Sequence, residues 1–116
     1  MRKRVLIVDD HEPFRATARE LLEEAGYVVA GEAGDAAQAL AAVAAGAPDA
    51  VLLDVQLPDG DGFAVARALT ANGGPAVVLI SSRDAADYGR RVETCGARGF
   101  IPKSRLSSAA FAALVG

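Results

Sequence analysis

Cysteine and histidine are almost missing from this sequence, which holds one of each, Cys95 and His11, among 116 residues. No internal disulfide can form, and one Cys with one His cannot build a Cys/His zinc site. Long apolar runs are missing too. The longest uncharged stretch, Ala36 to Pro48, is Ala-rich and interrupted by Gly46, whereas a membrane span needs about 20 strongly apolar residues. Met1-Arg-Lys-Arg4 leads into an apolar run too short for a signal-peptide core, so a reducing, cytoplasmic setting without membrane contact is expected. Strong charge of one sign is also lacking: 12 Lys and Arg against 15 Asp and Glu give a net charge of −3. A mildly acidic chain lacks the clustered cations that neutralise nucleic-acid phosphates, and Arg2-Lys3-Arg4 reads as the solvated start of a strand. The hydrophobic share of 52% and charged share of 23% fit one globular domain with a single core. Repeats, low-complexity tracts and linkers are absent.

What is present is a strict alternation. Five short aliphatic runs, Val5 to Val8, Tyr27 to Ala30, Ala50 to Leu53, Ala76 to Ile80 and Gly99 to Ile101, read as strands, each followed by a helical pattern. The first helix begins after Pro13, places Phe14, Ala18, Leu21, Leu22 and Ala25 inward and stops at Gly26. The second runs from about Ala36 to Ala45, with Asp35 as N-cap, Leu40 and Val43 inward and Gly46 as stop. The third carries Phe63, Ala66 and Leu69 and ends near Asn72-Gly-Gly-Pro75. The fourth is expected from about Ala85 to Cys95, and the fifth from Ser108 to Val115 with Ser107 as cap and Phe111 and Leu114 inward. Near-continuous apolar strands alternating with helices imply a parallel sheet covered on both faces. Ligands of such sheets bind at the carboxyl ends of the strands.

Those ends are polar. The first strand delivers Asp9-Asp10, the third Asp54, the fourth Ser81-Ser82 and the fifth Pro102-Lys103. A lone Asp, Ser or Lys after a strand is usually a cap or a solvated group, but that account must hold separately at four sites on one edge. Crowded carboxylates require a proton or cation to compensate them, and hard oxygen ligands favour magnesium or a similar divalent ion such as manganese. With Lys103 as a point charge and Ser81 as a hydroxyl donor, the set suits phosphoryl transfer to a carboxylate.

Val8-Asp9-Asp10, Leu53-Asp54-Val-Gln56-Leu-Pro-Asp-Gly-Asp-Gly62, Ile80-Ser81-Ser82 and Gly96-Ala-Arg-Gly-Phe100-Ile-Pro-Lys103 resemble the receiver domain of bacterial two-component response regulators, over residues 1–116. The resemblance implies a flavodoxin-like, doubly wound, five-stranded parallel sheet of order 2-1-3-4-5 with helices on both faces. It implies a phosphoacceptor, Asp54, charged by the phosphohistidine of a sensor histidine kinase. It further implies Asp10 as a direct metal ligand, Asp9 as an acid reaching the metal through water, and the Gln56 main-chain carbonyl as another ligand. Lys103 matches the phosphoryl-contacting lysine and Ser81 the hydroxyl position. A switch follows from the same resemblance: Ser81 is drawn inward, Phe100 rotates into the vacated space, and the face built by the fourth helix, fifth strand and fifth helix signals onward. Phe100 fits plain core packing equally well.

Asp9 to Arg15 and Gly99 to Ser104 resemble the subgroup whose receiver precedes a helix-turn-helix DNA-binding domain. No such output domain lies within these residues, so no direct nucleic-acid contact is expected. This chain has Ser81 where Thr is commoner, Phe100 where Tyr is commoner, and Ser104 after the lysine where Pro is common, so a cis peptide is not expected there. Gln56 and Arg83 fall at the two positions that tune hydrolysis. Asp84, Asp87, Arg90, Arg91 and Glu93 fit a solvated face or homodimer contacts. His11 reads as an exposed loop residue and Cys95 as core. A haloacid-dehalogenase-like phosphatase is disfavoured because Gln56 stands where that family has a second Asp. A flavin or dinucleotide site is disfavoured by Asp9, Asp10 and Glu12 after the first strand, which repel bare phosphate. A pseudo-receiver that signals by binding alone remains as the competing reading.

Overall fold

Residues 2–115 are described by a computed structural model. Five parallel strands, β1 (Arg4–Val8), β2 (Val28–Ala33), β3 (Ala50–Asp54), β4 (Ala76–Ser81) and β5 (Gly99–Pro102), form one sheet in the order β2-β1-β3-β4-β5. The connecting helices are α1 (Glu12–Glu24), α2 (Ala36–Gly46), α3 (Gly62–Thr70), α4 (Arg91–Thr94) and α5 (Ser108–Val115).

The two-residue period of the strands divides the core. Leu6, Val8, Val51, Leu53, Val77 and Leu79 pack with Ala39, Phe63, Ala66 and Cys95 on one face. Val5, Ile7, Leu52, Val78, Ile80 and Ile101 pack with Ala18, Leu22 and Phe111 on the other. Because β1, β3 and β4 are covered on both sides, their sequences read as continuously apolar, whereas the edge strand β2 alternates and carries Glu32. The expected order and double winding are observed, with order 2-1-3 placing β1 beside β3. Every described peptide bond is trans.

Five local expectations need correction. β2 runs on to Ala33, so Gly31 and Glu32 lie inside the strand, paired with Leu6 and Ile7, rather than after it. The inward stripe of α2 is Ala39 with Ala36, Ala42 and Val43, while Leu40 is 41% exposed, one position round from the contact line. That helix includes Gly46 and ends where Ala47 takes a left-handed conformation (φ 42°), as Pro48 disfavours a helical residue before it. Ala25, on the inward stripe by spacing, is exposed. The expected fourth helix is split: a 3-10 turn over Ala85–Asp87, then Gly89 at φ 60°, then α4 from Arg91 to Thr94 only. Asp87 Oδ2 accepts from the Asp84 N–H at 3.2 Å while the Asp87 N–H donates to the Asp84 carbonyl at 3.0 Å, which closes the first turn on itself, and the left-handed glycine stops propagation. Cys95 is nonetheless buried, just past α4.

Candidate functional site

The carboxyl edge of β1 and β3 carries three acids in one small space. Asp9 is fully buried, Asp54 is 5% exposed, and Asp10 is exposed. One carboxylate oxygen from each lies within 4.8 Å of the others. Lys103, on the 3-10 turn that follows β5, brings its ammonium 2.6 Å from Asp9 Oδ2 and donates to Asp54 Oδ2 at 3.2 Å. The Asp9 contact is close but poorly directed, so this buried oxygen has a neighbouring charge and no aligned hydrogen bond.

The backbone holds the other oxygens. Asp9 Oδ1 accepts from the His11 N–H (2.8 Å), and Asp54 Oδ1 from the Gln56 N–H (3.1 Å). An open depression of about 310 Å³ above them is lined by Asp10, Asp54, Gln56, Leu57, Pro58, Ser82 and Lys103. Burial pushes the Asp54 pKa up and the Asp9 charge adds to this, while the Gln56 N–H and Lys103 pull it down; the result is raised. Burial pulls Lys103 down, but its contacts with Asp9 and Asp54 outweigh that and leave its pKa raised. Two buried carboxylates and one ammonium leave the inner site one negative charge in excess, which favours a cation.

Several participants carry no signal in the sequence pattern. Phe14 lies with its ring centroid 4.6 Å from Lys103 Nζ and forms an aromatic wall beside the ammonium. Arg15 donates to the Asp9 carbonyl (2.6 Å) and pairs with Glu32 (3.0 Å), which Arg19 also holds (2.8 Å). The second strand therefore buttresses the Asp9 loop through Glu32. Asp59 and Asp61, close to Asp54 in sequence, face away. Asp59 accepts from the Ala36 and Ala37 N–H groups at the start of α2, and Asp61 accepts from the Ala64 N–H at the start of α3. The residues between form a two-residue antiparallel ribbon, Gln56–Leu57 with Gly60–Asp61.

Asp9, Asp10, Asp54, Gln56 and Lys103 are thus brought together as expected. Ser81 stands apart. Its hydroxyl accepts from the Arg83 N–H (3.0 Å) and shares a 2.7 Å hydrogen bond with the Tyr88 hydroxyl, and the depression is lined by Ser82 instead. Phe100 is half-buried, its ring 5.9 Å from that of Tyr88.

Comparison with known proteins matches this geometry to a family. The model of the response regulator receiver domain matches residues 5–114. The transcriptional regulatory protein PdtaR of Mycobacterium tuberculosis is 32% identical over 101 residues, covering 87% of this chain and 49% of that protein. A protein-glutamate methylesterase/protein-glutamine glutaminase of Anaeromyxobacter dehalogenans is 42% identical over 102 residues, covering 86% of this chain and 29% of that protein. The signal receiver domain of the response regulator NarL from Mycobacterium tuberculosis superposes with a TM-score of 0.86 at 36% identity, covering 99% of this chain and 98% of that one. The chain spans about half the length of the first curated relatives it matches, 57% and 49%. Among the described residues no helix is long and apolar enough to cross a membrane. With its sheet order, its acidic edge and its lysine in the arrangement described, the chain belongs to the receiver-domain family of two-component response regulators.

Proposed function

We propose that this domain accepts a phosphoryl group on Asp54 from the phosphohistidine of a sensor histidine kinase, with a divalent cation bound beside it. The observation that carries the reading is the convergence of three carboxylates and one lysine at a single sheet edge, with a fully buried Asp9 oxygen to which no described residue makes an aligned hydrogen bond. An all-oxygen donor set with excess negative charge fits a hard cation. Asp9, Asp10, Asp54 and the Gln56 carbonyl would hold Mg²⁺ or Mn²⁺, which when bound supplies positive charge against the acids and the phosphoryl oxygens.

The chain's own groups perform the rest. Burial makes the Asp54 carboxylate more basic than usual. One of its oxygens attacks phosphorus; the new O–P bond forms as the N–P bond of the phosphoimidazole breaks, and the electron pair returns to the imidazole nitrogen. Lys103, already paired with Asp54, stays beside the group and faces a phosphoryl oxygen with its ammonium. Ser81 supplies a hydroxyl donor once it turns inward, and Phe100 follows. The altered α4-β5-α5 face then contacts an output, for which a fused DNA-binding domain and homodimerisation are the fitting forms, in a cytoplasmic protein. The domain is regulatory and assists its own phosphorylation and dephosphorylation rather than turning over a separate substrate.

The test is intact mass after incubation with acetyl phosphate and Mg²⁺, beside Asp54→Ala and a metal-free control. A single phosphoryl adduct that requires both Asp54 and the metal is expected. No adduct on folded, metal-bound wild-type protein overturns the reading in favour of a domain that signals by binding alone.

A further inference from the structure

We propose that Tyr88 is a latch on Ser81: its hydroxyl holds the Ser81 hydroxyl away from the acceptor, and release of that hydrogen bond is a step in activation. The inference rests on the reading of Asp54 as phosphoacceptor. Ser81 is 1% exposed, so no bulk water replaces a partner it loses. Its Oγ is held by the Tyr88 hydroxyl at 2.7 Å and by the Arg83 N–H at 3.0 Å. To turn toward a phosphoryl group on Asp54, Ser81 must give up the tyrosine.

The tyrosine cannot follow it. Its ring is wedged edge-on against Phe63, with centroids 5.4 Å apart, and tilted against Phe100 at 5.9 Å. When Ser81 leaves, the Tyr88 hydroxyl loses its partner in a half-buried place, and the ring is pushed to seek solvent. Tyr88 directly precedes Gly89, a left-handed residue in the break between the 3-10 turn and α4. Its movement would loosen Phe100 behind it and Arg91, whose guanidinium lies 4.4 Å from the Phe63 centroid and 3.5 Å from Asp61. Phe100 has no hydroxyl with which to report the change. In this chain the polar half of the switch sits on Tyr88 and the packing half on Phe100.

A double-mutant cycle separates this role from a structural one. The initial rate of the phosphoryl adduct with acetyl phosphate and Mg²⁺ is measured by intact mass for wild type, Tyr88→Phe, Ser81→Ala and the double variant. Loss of one hydrogen bond in the resting state predicts that Tyr88→Phe speeds the adduct about three- to tenfold when Ser81 is present. In the Ser81→Ala background the same substitution should change nothing. An unchanged or slower rate with Ser81 present, or equal acceleration in both backgrounds, overturns the latch and leaves Asp54 as acceptor. If folded wild-type protein forms no adduct, the acceptor reading itself fails. The ring ¹³Cζ signal of Tyr88 then judges the contact alone: Ser81→Ala must shift it, and a signal that stays in place overturns the latch.

Discussion

Gly62 sits where α3 begins, and the structure gives a physical reason that it must be glycine. Its N–H donates to the Val55 carbonyl at 2.7 Å, so the helix start is drawn hard against the end of β3. A Cβ there would lie 2.3 Å from the Asp54 carbonyl oxygen and 2.8 Å from Val55 Cα. Carbon–oxygen contacts settle near 3.3–3.6 Å, so roughly 1 Å of movement is needed, and both obstacles are backbone. Overpacking of this kind costs about 1–3 kcal/mol, and a rigid obstacle puts Gly62→Ala at the upper end. At about 4 °C per kcal/mol for a domain of this size, the melting temperature should fall by roughly 12 °C. Gly26→Ala is the control: Gly26 has φ 95° with nothing within 4 Å of the added carbon, so only left-handed strain applies, about 1–2 kcal/mol. Thermal unfolding followed by far-UV circular dichroism compares the two. A Gly62→Ala penalty no larger than that of Gly26→Ala would refute the close-approach argument. Because the displaced atoms belong to Asp54 and Val55, Gly62→Ala should also weaken Mg²⁺ binding, whereas Gly26→Ala should leave it unchanged.

The charge balance of the site makes further predictions. Asp54 has a raised folded pKa, so its ionised form is disfavoured by folding, and stability gains as pH falls through that raised value toward the ordinary aspartate value of the unfolded chain. Asp54→Asn leaves Asp9 and Lys103 as a neutral pair and should stabilise the metal-free domain at neutral pH by about 0.5–2 kcal/mol; chemical denaturation in EDTA reads this, and destabilisation would contradict it. Mg²⁺ at ten times its Kd should add about 1.4 kcal/mol to the wild type, and much less to Asp54→Asn. Glu32 has the opposite sign. The Arg19 hydrogen bond, with Arg15, lowers its pKa below 4.5 against the effect of burial. Its stabilisation is complete above that unfolded value and lost as pH falls through the lowered folded one. Glu32→Gln should therefore cost less than about 1 kcal/mol at pH 7 and nothing once both states are protonated. A denaturant-midpoint difference that persists unchanged to pH 3 would refute the ion-pair account.

What the sequence disclosed and what it hid follow one physical division. The parallel sheet and its acidic edge were legible from local pattern, while the strand order came from the family resemblance: buried parallel strands read as apolar runs, and the residue after each strand must stand on the carboxyl edge. Asp9, Asp54 and Lys103 stand on that edge for this reason, and the order that sets β1 beside β3 brings the two acids together. The fourth helix is shorter than its spacing suggests because the left-handed torsion of Gly89 leaves no mark on the apolar pattern, and Leu40 faces out because alanines make the closer contact. Harder to read are side chains whose role is set by one partner from elsewhere in the chain. Proximity in sequence would have put Asp59 and Asp61 with Asp54, yet each is consumed by a helix N-terminus. Ser81 follows a strand as the acids do and points to the same edge by pattern. A single rotation commits it to Tyr88 instead, a residue with no periodic reason to be noticed. Pattern can thus fix which residues stand at the site while leaving open which way each one faces. In a domain built to switch, that second property is the one that changes, so the signalling state resides in the contacts that the sequence conceals.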